Sequence, residues 1–125
     1  MLLIDKKTKQ IEHCSAQNIT SDVLTSTEPL ILKGLVADWP LTKLGRESAH
    51  KASEYLLQFY NNKPVNVALG DPSTKGRIFY SSDFTGFNYQ SLRVSMKILL
   101  DKLEQHSSDS SPPTIYMAST MVDHW

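Results

Sequence analysis

The sequence predicts an α+β fold, with helices and strands mixed along one chain, and three observations predict it. Two stretches, around Ala49–Phe59 and Met96–Leu103, carry apolar residues at helical spacing. Short apolar or β-branched runs near Leu30, Val65 and Ile115 have strand character. Clusters of Gly, Pro, Asn and Asp separate these segments. With 125 residues the chain is long enough for one domain with a core of its own, and residues 1–125 are taken as a single region.

In chain order, Asn18 to Ser26 forms a short helix with Ile19, Val23 and Leu24 on one face. Glu28-Pro29 breaks it, and Leu30 to Leu35 follows as a strand closed by a turn at Gly34. A residue before proline is held away from the helical region, so Trp39-Pro40 makes a fixed corner with Trp39 as its anchor. Ser48 is an N-cap for the first long helix, whose apolar face is Ala49, Ala52, Tyr55, Leu56 and Phe59. Asn61-Asn62-Lys63-Pro64 ends it.

Pro64 to Leu69 is a strand, Gly70 to Gly76 a loop of turn residues, and Arg77 to Tyr80 the return strand of a hairpin. Ser95 caps the second long helix, with Leu92, Met96, Leu99, Leu100 and Leu103 as its core-facing stripe. His106 to Pro113 is a polar loop, and Thr114 to Ser119 is the last strand. The end at Asp123-His124-Trp125, so soon after a strand, reads as an interrupted sequence.

Charge and composition exclude several function classes. Thirteen basic and thirteen acidic residues give zero net charge, so nucleic acid is not the expected partner. The single cysteine, Cys14, can form no internal disulfide and no cysteine-rich zinc site. Met1-Leu2-Leu3-Ile4 is too short an apolar stretch, with charges on the wrong side, for a signal peptide. No run reaches the ~18 apolar residues of a membrane span. No membrane partner is expected, and the expected compartment is the cytoplasm. The oligomeric state, a homodimer included, is left open.

No complete catalytic motif is visible. A two-His, one-carboxylate iron site leaves a His-x-Asp or His-x-Glu trace. None of His13, His50, His106 and His124 has that neighbour, and His106 with Asp109 has the spacing of a solvated pair. No defined Fe(II) site is therefore expected in these 125 residues. A serine-nucleophile elbow is absent, and Lys75 precedes Gly76 in the reverse of the phosphate-loop order. Phe79, Tyr80, Phe84, Phe87 and Tyr89 crowd together near Arg77 and Arg93. The expected role of these aromatics is to fill the core under a loop; the alternative is stacking on bases.

Four segments in order resemble a known family. They are Pro29 to Pro40 with its Gly34 and Trp39-Pro40, Gly45 to Ser48, Phe79 to Tyr89, and Ile115 to Thr120. Together, over about residues 28–120, they resemble the lead-in of cupin-like, Jumonji-C-type proteins. The resemblance implies a double-stranded β-helix, a jelly-roll barrel, preceded by a mixed helix-strand region. It implies an Fe(II)- and 2-oxoglutarate-dependent oxygenase of the hydroxylase or demethylase type, acting on a protein or other macromolecule. The family's metal ligands lie downstream of the matched segments. The chain is thus expected to be an N-terminal portion with the barrel core missing, not catalytically complete by itself.

The resemblance also implies roles for four residues. Tyr116 falls where relatives bind 2-oxoglutarate through a tyrosine, and Thr120, at the same strand parity, is expected to face the same cavity. Tyr80 and Asp83 fall where relatives contact substrate. Two alternatives stand beside the oxygenase: a non-catalytic interaction or scaffold module, and an RNA-binding module using the aromatic cluster.

Overall fold

The computed structural model describes residues 6–120, in two compact units, Met1–Glu47 and Ser48–Trp125. The expectations about Met1-Leu2-Leu3-Ile4 and Asp123-His124-Trp125 lie outside the described residues. The expected mixture of helices and strands is present in both units.

In the first unit β1 (Lys9–Ile11) pairs in parallel with β2 (Leu30–Leu32), Lys9 opposite Leu30 and Ile11 opposite Leu32. The ladder continues one step as the Lys33 amide donates to the Ile11 carbonyl, and the Cys14 amide to the Lys33 carbonyl, both at 2.8 Å. Gly34 then takes a φ of +90°, and a Cβ there would stand 3.2 Å from the Cys14 carbonyl oxygen. That turn ends β2 at Leu32, so the strand is shorter than the Leu30–Leu35 run suggested. Helix α1 is only Ser21–Leu24.

Helix α2 (Pro40–Glu47) replaces the expected corner. Proline at the first helical position gives up an amide that has no intrahelical partner anyway, and its fixed φ suits the helix. Trp39 is the residue before the helix, and its carbonyl accepts from the Lys43 amide at 3.0 Å. Its side chain is 61% exposed, so it is not the buried anchor expected.

The second unit holds α3 (Ala49–Leu57), β3 (Val65–Gly70), β4 (Tyr89–Val94), α4 (Met96–Gln105) and β5 (Thr114–Met117). Both long helices start where the sequence placed them. Ser48 Oγ accepts from the Lys51 amide at 3.1 Å, and Ser95 Oγ from the Ile98 amide at 3.2 Å. Each bond satisfies one of the amides that a helix start leaves unpaired.

The sheet order is β4-β3-β5, all antiparallel. The partner of β3 is not Arg77–Tyr80 but β4, in a register that runs from Val65 opposite Val94 to Gly70 opposite Tyr89. The chain turns away after β3: Lys75 and Gly76 both have positive φ, 48° and 78°. Arg77 to Asn88 becomes an excursion closed by one bridge, Tyr80 to Phe87.

One sheet face packs on the helices. Val65, Val67, Met96 and Leu99 are buried, with Leu57, Tyr60, Val94, Leu100, Ile115 and Met117 packed around them. Leu92 is a strand residue opposite Val67, and Leu103 lies exposed on α4, so the helical stripe is Met96, Leu99 and Leu100. On the α3 side the core contact is Leu57 and Tyr60, whereas Phe59 is exposed. Helix α3 ends at Leu57, and the turn beyond it rotates Phe59 outward and Tyr60 inward.

Candidate functional site

Strand alternation builds the site. With Val65, Val67, Ile115 and Met117 on the helices, their neighbours Asn66, Ala68, Thr114 and Tyr116 take the opposite face. The register aligns Tyr116, Ala68 and Ser91 in one row across the three strands. On either side lie Thr114, Gly70 and Tyr89, and the pair Asn66 and Arg93. Ala68 makes a shallow floor, while Gly70 is buried under Thr74 and Thr114. Tyr116, opposite Ala68, is 55% exposed on this face. Ile115 and Met117 pack the other way, as the alternation of a strand requires.

The rim beside Tyr116 is a turn tied onto the sheet. Thr74 and Thr114 hydroxyls are 3.0 Å apart, and the Gly76 amide donates to Thr114 Oγ1 at 3.2 Å. Gly70 allows this approach: a Cβ there would lie 3.1 Å from Thr74 Oγ1 and 3.2 Å from Thr114 Cβ. An open groove of about 980 Å³ runs along this rim, with Thr74, Arg77, Phe79, Tyr80, Thr114 and Tyr116 among its lining residues. The fold therefore brings Tyr80 and Tyr116, 36 residues apart in sequence, into one groove.

Asp83 and Thr120 are placed differently. Asp83 is a loop staple: Oδ1 accepts from Ser81 Oγ at 2.6 Å and from the Thr85 amide at 3.2 Å, and Oδ2 from Thr85 Oγ1 at 2.9 Å. The Ser81 hydroxyl, then Thr85, hold its carboxyl down at about 2. A depressed folded-state pKa contributes stability above the ordinary carboxylate range and loses it as pH falls toward 2, so the staple holds throughout the neutral range. Thr120 lies beyond β5, which ends at Met117, and its hydroxyl donates to the Ala118 carbonyl at 3.4 Å. The strand parity with Tyr116 does not reach it.

The aromatic cluster is not core. Phe79 packs edge-on against Tyr80 at 5.3 Å, Tyr80 stacks on Phe87 at 5.2 Å, and Phe87 on Tyr89 at 5.0 Å. Phe79, Tyr80, Phe84 and Phe87 are all at least half exposed. The loop that carries them is stiffened from within. The Asn88 side chain accepts from the Phe79 amide and donates to the Arg77 carbonyl, both at 2.8 Å. Local bonds like these hold aromatic rings at the surface, where their neighbours in sequence alone would suggest burial.

On the helix side, a second groove of about 660 Å³ lies between the sheet and α4, with Leu69, Leu92, Ile98, Lys102 and His106 on its walls. His106 Nδ1 meets Asp109 Oδ2 at 2.7 Å within its own loop. Elsewhere, His50 on α3 joins α4: its Nδ1 is 3.2 Å from Glu104 Oε2, and its Nε2 is 3.5 Å from Glu54 Oε1. The Glu104 bond and charge, then the Glu54 charge, raise the His50 pKa above its ordinary 6.5. A raised folded-state value contributes stability that is full below 6.5 and lost as pH rises through the folded pKa. The His50 ring protons should titrate by NMR with a midpoint above 6.5, and Glu104→Gln should lower that midpoint. A wild-type midpoint at or below 6.5 contradicts the clamp.

Among the described residues, no three His, Cys, Asp or Glu side chains converge to hold a metal ion. Nor does any described helix have the length and apolar character to cross a membrane. A family model described as a cupin-like domain matches residues 16–125. The chain belongs to that family, the cupin-like proteins of Jumonji-C type. No curated protein and no solved structure matches it.

Proposed function

We propose that the chain is the N-terminal portion of a cupin-like Fe(II)- and 2-oxoglutarate-dependent oxygenase that hydroxylates or demethylates a protein or other macromolecule in the cytoplasm. In this reading the β4-β3-β5 sheet is one wall of a jelly-roll barrel whose metal ligands lie outside residues 6–120. The observation that carries it is the open sheet face: a half-exposed Tyr116 beside the small Ala68, backed by a packed helical layer on the other side.

The implied groups fit unequally. Iron finds no ligand set among the described residues, so these residues supply no metal chemistry. The open face does fit 2-oxoglutarate: it offers hydroxyl, amide and guanidinium donors from Tyr116, Ser91, Asn66 and Arg93. When bound, 2-oxoglutarate supplies an oxygenase with two electrons through its oxidative decarboxylation. Tyr116 donates a hydrogen bond to one of its carboxylates without adding charge. Tyr80, on the groove wall, meets the macromolecular substrate. Asp83 acts one step removed, since its oxygens are committed to Ser81 and Thr85: it holds the loop that presents Tyr80.

A second reading, an interaction or scaffold module, is favoured by one observation: a stiffened ladder of exposed aromatics is what a docking surface needs. Sequencing the locus on both sides of the 125 codons separates the two. The oxygenase reading expects an in-frame His-x-Asp or His-x-Glu and a later His downstream. A reading frame without them leaves the interaction module.

A further inference from the structure

We infer that the groove between the sheet and α4 is a binding site for a free alkyl carboxylate of medium chain length, its tail lying between Leu92 and Ile98 and its carboxylate meeting Lys102 and His106. This groove is on the helix side of the sheet, away from the face assigned to the cosubstrate, and stands independently of that assignment.

Chain direction sets up its two walls. One residue, Ser95, separates β4 from α4, and Met96 and Leu99 then pack on Val65 and Val67, so the helix returns along the sheet. On the strand, Val94, Leu92 and Gln90 share the helix-side face, as alternate residues do. On the helix side, Ile98, Lys102 and His106 follow one another at steps of four, the spacing of one row. Each row spans about 12–13 Å. Each also turns from apolar to polar in the same direction: Val94 and Leu92 give way to Gln90, and Ile98 to Lys102 and His106. Leu92 and Ile98 are 37% and 52% exposed, so their apolar surface is left uncovered among the described residues. The groove's volume of about 660 Å³ suits a small molecule, since such sites run from roughly 300 to 1,000 Å³. Apolar walls with a few polar groups gathered at one end fix which way round a ligand lies.

Charge at the polar end selects the head group. The charged or titratable side chains on the groove are Lys102, His106 and Asp71. The Lys102 amine donates to the neutral Gln105 Oε1 at 2.8 Å and meets no carboxylate among the described residues, unlike Lys97, which pairs with Asp101 at 2.7 Å. Asp109 holds His106 Nδ1 at 2.7 Å and leaves Nε2 as the ring nitrogen open to a ligand. Asp71 Oδ1 already accepts from the Ser73 amide at 2.8 Å. Open carbonyls at a helix end disfavour an anion, but those of Lys102 and Glu104 already accept from the His106 and Ser107 amides. An uncompensated ammonium beside an imidazole nitrogen and the Gln90 amide is a donor set for a carboxylate.

The test is an NMR titration of the 125-residue chain with sodium octanoate below its micelle-forming concentration, beside 1-octanol and acetate at constant ionic strength. Octanoate should give saturable shifts at the Leu92, Ile98 and Ile115 methyls. Intermolecular nuclear Overhauser effects should run from its terminal methyl to Val94 and from its C2 methylene to the His106 ring. Acetate, which has no tail, should not bind at the same concentrations. Lys102→Gln should weaken octanoate binding about tenfold or more, as expected for a charge-assisted hydrogen bond, and leave octanol unchanged. Equal octanoate affinity in Lys102→Gln overturns the carboxylate assignment, and contacts in the reverse order overturn the orientation. Shifts that do not saturate, or that spread over both faces of the sheet, mean general adsorption of an amphiphile and overturn the site. The proposed function is decided separately, by the metal-ligand codons of the locus.

Discussion

Replacing Leu99 by alanine should destabilise the Ser48–Trp125 unit by about 2–5 kcal/mol. Leu99 is 4% exposed and packs with Met96, Val65 and Val67 in the core between α4 and the sheet. Truncation there loses the transfer free energy of the removed atoms and leaves a cavity that the sheet is too stiff to close. The described core is small, so the loss is a large share of the roughly 5–15 kcal/mol that stabilises a typical domain. Urea unfolding should show a lower midpoint with an unchanged slope. Leu103→Ala, one turn on and exposed, should change stability by only about 0.5 kcal/mol. Leu56→Ala should cost less than Leu99→Ala, since Leu56 is only half-buried and Leu57 makes the core contact. Equal costs for Leu99→Ala and Leu103→Ala contradict the orientation of α4.

Tyr116→Phe should weaken 2-oxoglutarate binding by about 1.5–3 kcal/mol and leave stability unchanged, because one hydrogen bond to a charged group is lost and no core contact is. The separation of the two effects follows from β5. Its core residues are Ile115 and Met117, and Tyr116 stands on the far side of the sheet with its ring half in solvent. A dissociation constant from titration, paired with a thermal unfolding curve, measures both. A variant that binds normally reduces Tyr116 to an exposed strand tyrosine. A variant that unfolds places its hydroxyl in a structural role instead.

What the sequence made legible was local. Ser48 and Ser95 announced their helices because a cap depends on a hydroxyl and an amide three residues away. The orientation of Tyr116 follows from strand alternation, because Ile115 and Met117 are the apolar residues on either side of it and pack on the core. Helix α2 was hidden by Pro40, which is compatible with both a corner and a helix start; neither Trp39 nor Leu41 decides between them. Strand β4 was hidden by its polarity. Gln90, Ser91 and Arg93 give it no apolar run, Leu92 falls in step with the helical stripe, and the aromatic run at Phe79-Tyr80 looks the better strand. Only pairing along the whole of β3 distinguishes the two.

The exposure of the aromatic ladder and the place of Arg93 were illegible for a deeper reason. Aromatic residues in sequence carry a strong expectation of burial, and it is a set of side-chain bonds from Asn88 and Asp83 that holds the loop and keeps the rings outside. Arg93 has no motif around it. Its face is defined by a register with Asn66 formed across 27 residues, and its relation to Tyr116 by a third strand further on. Family resemblance pointed to Tyr116, Thr120, Tyr80 and Asp83 together. Yet only Tyr80 and Tyr116 share a groove, because β5 stops before Thr120 and the Asp83 oxygens are turned into their own loop.

The most direct test of the sheet face as the cosubstrate face is a set of intermolecular nuclear Overhauser effects between the 2-oxoglutarate methylene protons and assigned side chains of the chain. The expected contacts are to the Ala68 methyl and the Tyr116 ring, which share the open face. Contacts to the Leu92 and Ile98 methyls would put the molecule in the groove along α4 and contradict the assignment.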